Sequence, residues 1–309
     1  MPRNVKMIID TDPGIDDAMA IFYAVAAPEV EVVALTSIFG NVHTAQATRN
    51  ALYLAGFAGL DVPVAQGAEL PLGGQAIYPS YNVHGAEGLG TRPAPEVQGE
   101  PVSETAAMLM TRMAAEAPGE ITLCALGPLT NVAAALRLDP AFARNIARIV
   151  VMGGSIDAGG NKTPHAEANI VNDPEAAAEV FASGAPVVMV GLDVTHRITC
   201  SGADFSAMAG EAPLHGGLLQ DLAQFYIAFT ESRGKFDGCY LHDPAAVIAC
   251  THPELFDTVE AAVDVELTGE ARGRTHTAPR RSTPVIEVCK GVASSDVKSL
   301  FTRRIASLT

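Results

Sequence analysis

The chain has 309 residues, 48% of them hydrophobic and 18% charged, and its 35 acidic against 20 basic side chains give a formal net charge of −15. That apolar content excludes a disordered chain, and so negative a surface repels nucleic-acid phosphates, so the expected partner is a small molecule. Five scattered cysteines without a CxxC pair exclude a thiolate zinc site and a disulfide framework, and point to a reducing compartment.

In chain order the elements alternate. "VKMII" reads as a strand and "DDAMAIFYAVAA" as the helix after it; "VEVVALTSIF" and "HTAQATRNALYLAGFA" repeat the pair, and "VPVAQ" gives a third strand. A Gly/Pro-rich stretch from Gly67 to Pro101 follows, too long for a routine connection and therefore a candidate functional loop. The alternation resumes with the helix "SETAAMLMTRMAAEA", the strand "ITLCAL", the helix "LTNVAAALRL" and the strand "RIVVM". After a loop come the helix "PEAAAEVFASG" and the strand "PVVMVGL"; "AAVDVEL" and "TPVIEVC" are further strands, and "SDVKSLFTRRIASL" closes the chain as a helix. Strands with helices between them specify βαβ units, hence an α/β fold with a largely parallel central sheet and flanking helices. No linker, repeat or low-complexity tract divides the chain, so residues 1–309 are expected to form a single catalytic domain. No apolar run reaches the roughly 18 residues of a membrane helix, and "MPRNVKMII" is too short for a signal peptide's apolar region; the expected location is cytoplasmic, away from membranes.

Ligands of open parallel sheets bind beyond the carboxyl ends of the strands, and polar residues gather there. Asp10 and Asp12 follow the first strand and Asp16 and Asp17 open its helix, so four aspartates surround one Pro-Gly turn. Asn41 follows the second strand, Gly127 and Asn131 follow "ITLCAL", and Met152 ends "RIVVM". "HAEAN", His165 to Asn169, lies in the loop beyond, Asp193 ends "PVVMVGL", and His242 and Asp243 stand at a helix start. A single Asp or Asn after a strand is an ordinary cap or turn residue, and one carboxylate at Asp16 or Asp17 complements the helix dipole. Four exceed what capping needs, because two bare carboxylates about 4 Å apart repel by about 4 kcal/mol near a protein surface. With no His or Cys in the cluster, the donors are hard oxygens suited to Ca²⁺, Mg²⁺ or Mn²⁺. Asp12 and Asp17 flank the turn and can converge on one ion, with a distant carboxylate such as Asp243 completing the shell. A D-x-D after a first strand also occurs in haloacid-dehalogenase-like phosphatases, which would make Asp10 a nucleophile and Mg²⁺ the cofactor.

From "DTDPGIDDAMAI" onward the chain resembles the nucleoside hydrolase family, the inosine–uridine-type N-ribohydrolases. The resemblance continues in the family's order through "FGNVHTAQATRNAL", "VHGAEGLG", "ALGPLTNVAAAL", "VVMGG", "AEANIVNDPEAA", "VGLDVTH", "HDPAAV" and "VDVELTGE", and covers nearly the whole chain. It implies a Ca²⁺ ion at the sheet's carboxyl edge, held by Asp12, Asp17, Asp243 and the backbone carbonyl of Leu126, a position where the family has Thr or Val-like residues. It also implies that Asp16, Asn41 and Asn169 bind ribose hydroxyls, that Asn161 and Glu167 reach the 5′ end, and that Met152 lies against the sugar. His84 and His242 would face the nucleobase. Asp12 is then the general base and His242 the leaving-group acid, around an oxocarbenium-like transition state that carboxylates favour. Ala168 stands where the family often has Phe. "YIAFTESRGKFDGCY" diverges where the base is read, leaving Tyr226, Arg233 and Tyr240 as candidate base contacts. The expected function is calcium-dependent hydrolysis of purine or pyrimidine ribonucleosides to base and ribose, in nucleoside catabolism and salvage, by a homodimer or homotetramer. Its rivals are the Mg²⁺-dependent phosphohydrolase and a nucleoside- or ribose-binding protein without turnover.

Overall fold

The computed structural model describes residues 4–75, 77–279 and 284–308. Strand β1 (Val5–Thr11) feeds helix α1 (Ile15–Ala26), β2 (Val30–Ser37) feeds α2 (Thr44–Phe57), and β3 (Val64–Gln66) leads into a long segment holding the one-turn helix α3 (Tyr81–His84). Then come α4 (Ala106–Glu116), β4 (Ile121–Ala125), α5 (Thr130–Leu138), α6 (Phe142–Asn145) and β5 (Arg148–Met152). The short α7 (Ala168–Asn172) precedes α8 (Pro174–Ala182), β6 (Val187–Val190) and α9 (Leu192–Thr195). The last third comprises β7 (Thr199–Cys200), α10 (Gly202–Glu211), α11 (His215–Ser232), β8 (Cys239–Tyr240) and α12 (His242–Thr251). It ends with β9 (Phe256–Val265), β10 (Thr275–Ala278), β11 (Val285–Val292) and α13 (Ser294–Ala306).

Among the described residues, nine strands form one sheet in the order β10-β9-β11-β6-β5-β4-β1-β2-β3, and β7 and β8 pair separately. From β11 to β3 every neighbour is parallel. The largely parallel expectation therefore holds, with an antiparallel edge, β9 against both β10 and β11, that the sequence reading did not include. β9 starts five residues before the expected "AAVDVEL", and its exposed run Asp257–Glu260 carries no apolar alternation to betray it. Thr283, where the expected strand "TPVIEVC" begins, lies outside the described residues.

The central strands are apolar almost throughout because both faces are covered. In β1, Met7 and Ile9 pack on one side with α1 and α12, while Ile8 packs on the other with Leu123 and Ile149. The chain winds outward through β2 and β3, then returns to lay β4, β5 and β6 on the other side of β1. The β1–β4 boundary is thus the point where the winding reverses, and a crevice opens at its carboxyl end. Leu126 N–H donates to the Asp10 carbonyl there at 2.7 Å.

Asp10 lies inside β1, not past it. Its carboxylate accepts from Thr36 Oγ1 at 2.7 Å and Asn131 Nδ2 at 2.8 Å. Asn131 also donates to the Ser37 carbonyl (3.0 Å) and accepts from Ala68 N–H (2.9 Å), so the pair stitches together the ends of β1, β2 and β3. Asp10 is fully buried and does not line the cavity described below. Asp193 sits in α9 and accepts from Ile156 and Asp157 N–H (2.7 and 2.8 Å), fastening the loop after β5.

Candidate active site

A cavity of about 510 Å³ lies over the carboxyl ends of β1, β4 and β5. Its wall includes every residue expected to touch substrate: Asp16, Asn41, His84, Met152, Asn161, Glu167, Asn169 and His242, together with Leu126 and Asp243. Asp12 and Asp17 lie deeper, 1% and 0% exposed.

The Pro-Gly turn between β1 and α1 explains itself through space. Gly14 has an extended backbone, but a Cβ there would lie 2.5 Å from His84 Nδ1 and 2.9 Å from Asn41 Nδ2. Gly14 caps α1, and Asp17 reaches back three residues to accept its N–H at 2.8 Å. Asp17 also accepts from Thr11 Oγ1, Asp12 N–H (3.2 Å) and Asn41 Nδ2 (3.1 Å). The capping reading of Asp17 is therefore correct, yet it accounts for one carboxylate only.

Asp243, in the first turn of α12, brings its carboxylate to the same place. Oxygens of Asp16, Asp17 and Asp243 lie within 4.8 Å of one another. Asp16, expected on the ribose, thus joins the tightest trio, and Asp12 stands beside it. One Asp12 oxygen accepts from Asn41 N–H at 2.6 Å; the other, like one oxygen of Asp16, is buried without a hydrogen-bond partner. Gly40 leaves room for this carboxylate, since a Cβ there would fall 2.0 Å from Asp12 Oδ2. Burial, then the neighbouring carboxylates, hold Asp12 and Asp243 well above the usual range and push Asp16 up to about 8; burial raises Asp17 against the hydrogen bonds it accepts.

The Leu126 carbonyl accepts from Asn169 Nδ2 at 2.6 Å, and the same amide donates to the Met152 carbonyl at 3.0 Å, tying the ends of β4 and β5. Glu167 caps α7, accepting from Asn169, Ile170 and Gly154 N–H at 2.9, 3.1 and 3.0 Å. Asn161 Oδ1 accepts from Ala168 N–H at 2.9 Å. These residues hold their own loop in shape and still border the cavity.

His84 Nδ1 accepts from Ile15 N–H at 3.1 Å, which leaves the ring proton on Nε2. Burial, with Lys162 adding to it, pushes its pKa down to about 3. His242 opens α12 with Nδ1 at 2.8 Å from Thr195 Oγ1. Burial, with His196, His84 and Lys235 nearby, holds it well below an ordinary histidine. The candidate base contacts Tyr226, Arg233 and Tyr240 all line the cavity, the ring centroids of Tyr226 and Tyr240 lying 6.0 Å from His84 and 5.2 Å from His242 respectively. Arg233 lies exposed at the rim, its guanidinium 5.2 Å over the Phe229 ring.

The sequence reading missed Lys162, Thr195 and His196. Lys162 Nζ donates to the Tyr78 carbonyl (2.7 Å), the Pro79 carbonyl (3.4 Å) and Ser80 Oγ (3.1 Å), pinning the Gly67–Pro101 segment to the loop after β5. That segment delivers Ser80, Asn82 and His84 to the cavity wall.

The sequence profile described as "Inosine-uridine preferring nucleoside hydrolase" matches residues 7–299. "Probable uridine nucleosidase 2" of Arabidopsis thaliana is 44% identical over 272 residues, 87% of this chain and 84% of its own. The solved "Plant nucleoside hydrolase - PpNRh1 enzyme" is 40% identical with a TM-score of 0.94, covering 99% of this chain and 100% of its own. A "Purine-Preferring Ribonucleoside Hydrolase from Gardnerella vaginalis" is 33% identical with a TM-score of 0.93, covering 97% and 98%. The two solved structures superpose almost equally well on this backbone.

Proposed function

The chain belongs to the inosine–uridine preferring nucleoside hydrolase family and is a ribonucleoside hydrolase, an enzyme that cleaves N-glycosidic bonds; from that premise we propose that its catalysis depends on Ca²⁺ held by Asp12, Asp17, Asp243 and the Leu126 carbonyl. The observation that carries this reading is the buried trio of carboxylates within 4.8 Å, with partnerless oxygens on Asp12 and Asp16. The donor set fits a hard cation, because it is all oxygen and offers more negative charge than the surrounding donors offset. When bound, the ion supplies positive charge that orients ribose hydroxyls and acidifies water.

The protein's own groups do the rest. The partnerless Asp12 oxygen takes a proton from the attacking water. Asp16, Asn41 and Asn169 hold the 2′ and 3′ hydroxyls, Asn161 and Glu167 face the 5′ hydroxyl, and Met152 covers one side of the ring. As the C1′–N bond breaks, its electron pair leaves with the base and positive charge grows on the sugar, which the carboxylates favour. His84 and His242 face the departing base, and His242 offers it a ring N–H. We place the enzyme in the cytoplasm as a homodimer or homotetramer; among the described residues no helix is long and apolar enough to cross a membrane.

Uridine heads the substrate list, on the name of the Arabidopsis relative. Purine and pyrimidine ribonucleosides assayed side by side for ribose release test the proposal, with release from uridine expected. Binding of nucleosides without release would favour a binding protein, and phosphate release from a phosphoester without ribose release a phosphohydrolase.

His242→Ala separates a leaving-group role from a packing role. A nucleobase is a poor leaving anion unless protonated or hydrogen-bonded, and such help is worth about 10²–10⁴-fold. A p-nitrophenyl riboside leaves as a stable phenolate. The substitution is expected to cripple uridine hydrolysis by that factor and to keep p-nitrophenyl riboside cleavage within about tenfold of the parent enzyme. Equal losses on both substrates would assign His242 to packing or to the sugar.

A further inference from the structure

The proposed reaction needs His242 to present a proton-bearing nitrogen to the base, and the partner of the other nitrogen decides which one carries the proton. The partner of its other nitrogen is Thr195, the last residue of α9, whose fully buried Oγ1 lies 2.8 Å from Nδ1. A threonine hydroxyl in a helix ordinarily donates to a carbonyl one turn back. Thr48, Thr111 and Thr230 do so here, to the carbonyls of Thr44, Ala107 and Tyr226. Thr195 makes no such bond among the described residues; the contact its hydroxyl makes is the one to His242 Nδ1. The hydroxyl proton of Thr195 therefore has Nδ1 as its acceptor, because leaving a buried O–H undonated is costly. An Nδ1 that accepts carries the lone pair, and the ring proton then sits on Nε2.

We infer that Thr195 is a positioning residue: by donating to Nδ1 it locks His242 in the tautomer whose Nε2–H faces the leaving base. The inference rests on the reading of His242 as serving that base. The backbone supports it independently of the side chains. Leu241 N–H donates to the Ile198 carbonyl at 3.0 Å, and beyond it Thr199 pairs with Tyr240 and Cys200 with Cys239. The exit of α9 and the entry of α12 are thus fastened together by main chain, so removing the hydroxyl leaves the ring in place and frees only its tautomer.

Thr195→Val deletes the hydroxyl at nearly constant volume, and Thr195→Ser keeps it. Orienting partners of functional histidines are typically worth about 10–100-fold, so Val is expected to lower kcat on uridine by that factor with KM little changed. Cleavage of p-nitrophenyl riboside should stay within about threefold, and Ser should recover most of the uridine rate. Nitrogen-15 NMR of histidine-labelled protein should show His242 protonated at Nε2 in the parent and a mixed or inverted tautomer in the Val variant. A parent ring protonated at Nδ1 would overturn the inference, as would equal losses on both substrates that Ser does not repair. The NMR reading needs no turnover: a parent chain that released no ribose would count against the leaving-group reading of His242, while the tautomer would still decide the role of Thr195.

Discussion

Exhaustive chelation is expected to abolish ribose release, and Ca²⁺ to restore it. Asp12, Asp16, Asp17 and Asp243 are buried together, and three of them place oxygens within 4.8 Å of one another. Each pair of bare charges about 4 Å apart repels by about 4 kcal/mol at an effective dielectric of 20. The donors that Thr11, Gly14 and Asn41 supply go mainly to Asp17 and to one oxygen of Asp12. Oxygens of Asp12 and Asp16 remain without any, and burial with mutual repulsion holds these carboxyls above their normal range. A divalent cation offsets both costs at once. Asp17→Ala is therefore expected to lose bound metal and activity together, whereas Asp12→Ala loses activity as the proton acceptor. Because Asp17 also caps α1, Asp17→Asn serves as the shape-preserving control. Elemental analysis of the purified protein alongside ribose release checks the assignment, and full activity in a metal-free preparation would sink it.

A comparably large effect is expected from one oxygen of the substrate. If Asp16, Asn41 and Asn169 grip the ribose diol, 2′-deoxyuridine leaves buried polar groups facing nothing. A site built to bond a hydroxyl rejects the analogue lacking it by about 10⁴-fold or more in favourable cases. Asp16 is suited to that discrimination, since its partnerless oxygen is buried and its side chain borders the cavity. Uridine should thus exceed 2′-deoxyuridine by about that factor in kcat/KM. Comparable values would show that the ribose contacts are misassigned.

Much of this was legible because the central strands and the helices between them are locally coded. Apolar runs such as "KMII" and "ITLCA" need both faces covered, and the Pro-Gly turn is marked by its own two residues. What could not be read has a common cause. β10 and the β7–β8 pair are two to four residues long, too short to show a period. Asp10 reads as a loop carboxylate; pairing with Thr36 of β2 and Ala125 of β4 makes it a strand residue, and Thr36 and Asn131, 26 and 121 residues away, hold its carboxylate. Lys162 and Thr195 likewise act through partners more than 40 residues distant, and no local pattern announces them.

The carboxylate cluster is built on the first turns of α1 and α12, helices packed against each other in the interior. Another part of the cavity wall comes from the end of α11 and the turn after it, where the exposed Arg233 and Lys235 lie over the rings of Phe229 and Tyr240. Residues 239 and 240 pair with β7 and run straight into α12, with the Tyr240 ring 5.2 Å from that of His242, so a substitution in this stretch of wall is handed on directly to the histidine beside the carboxylates.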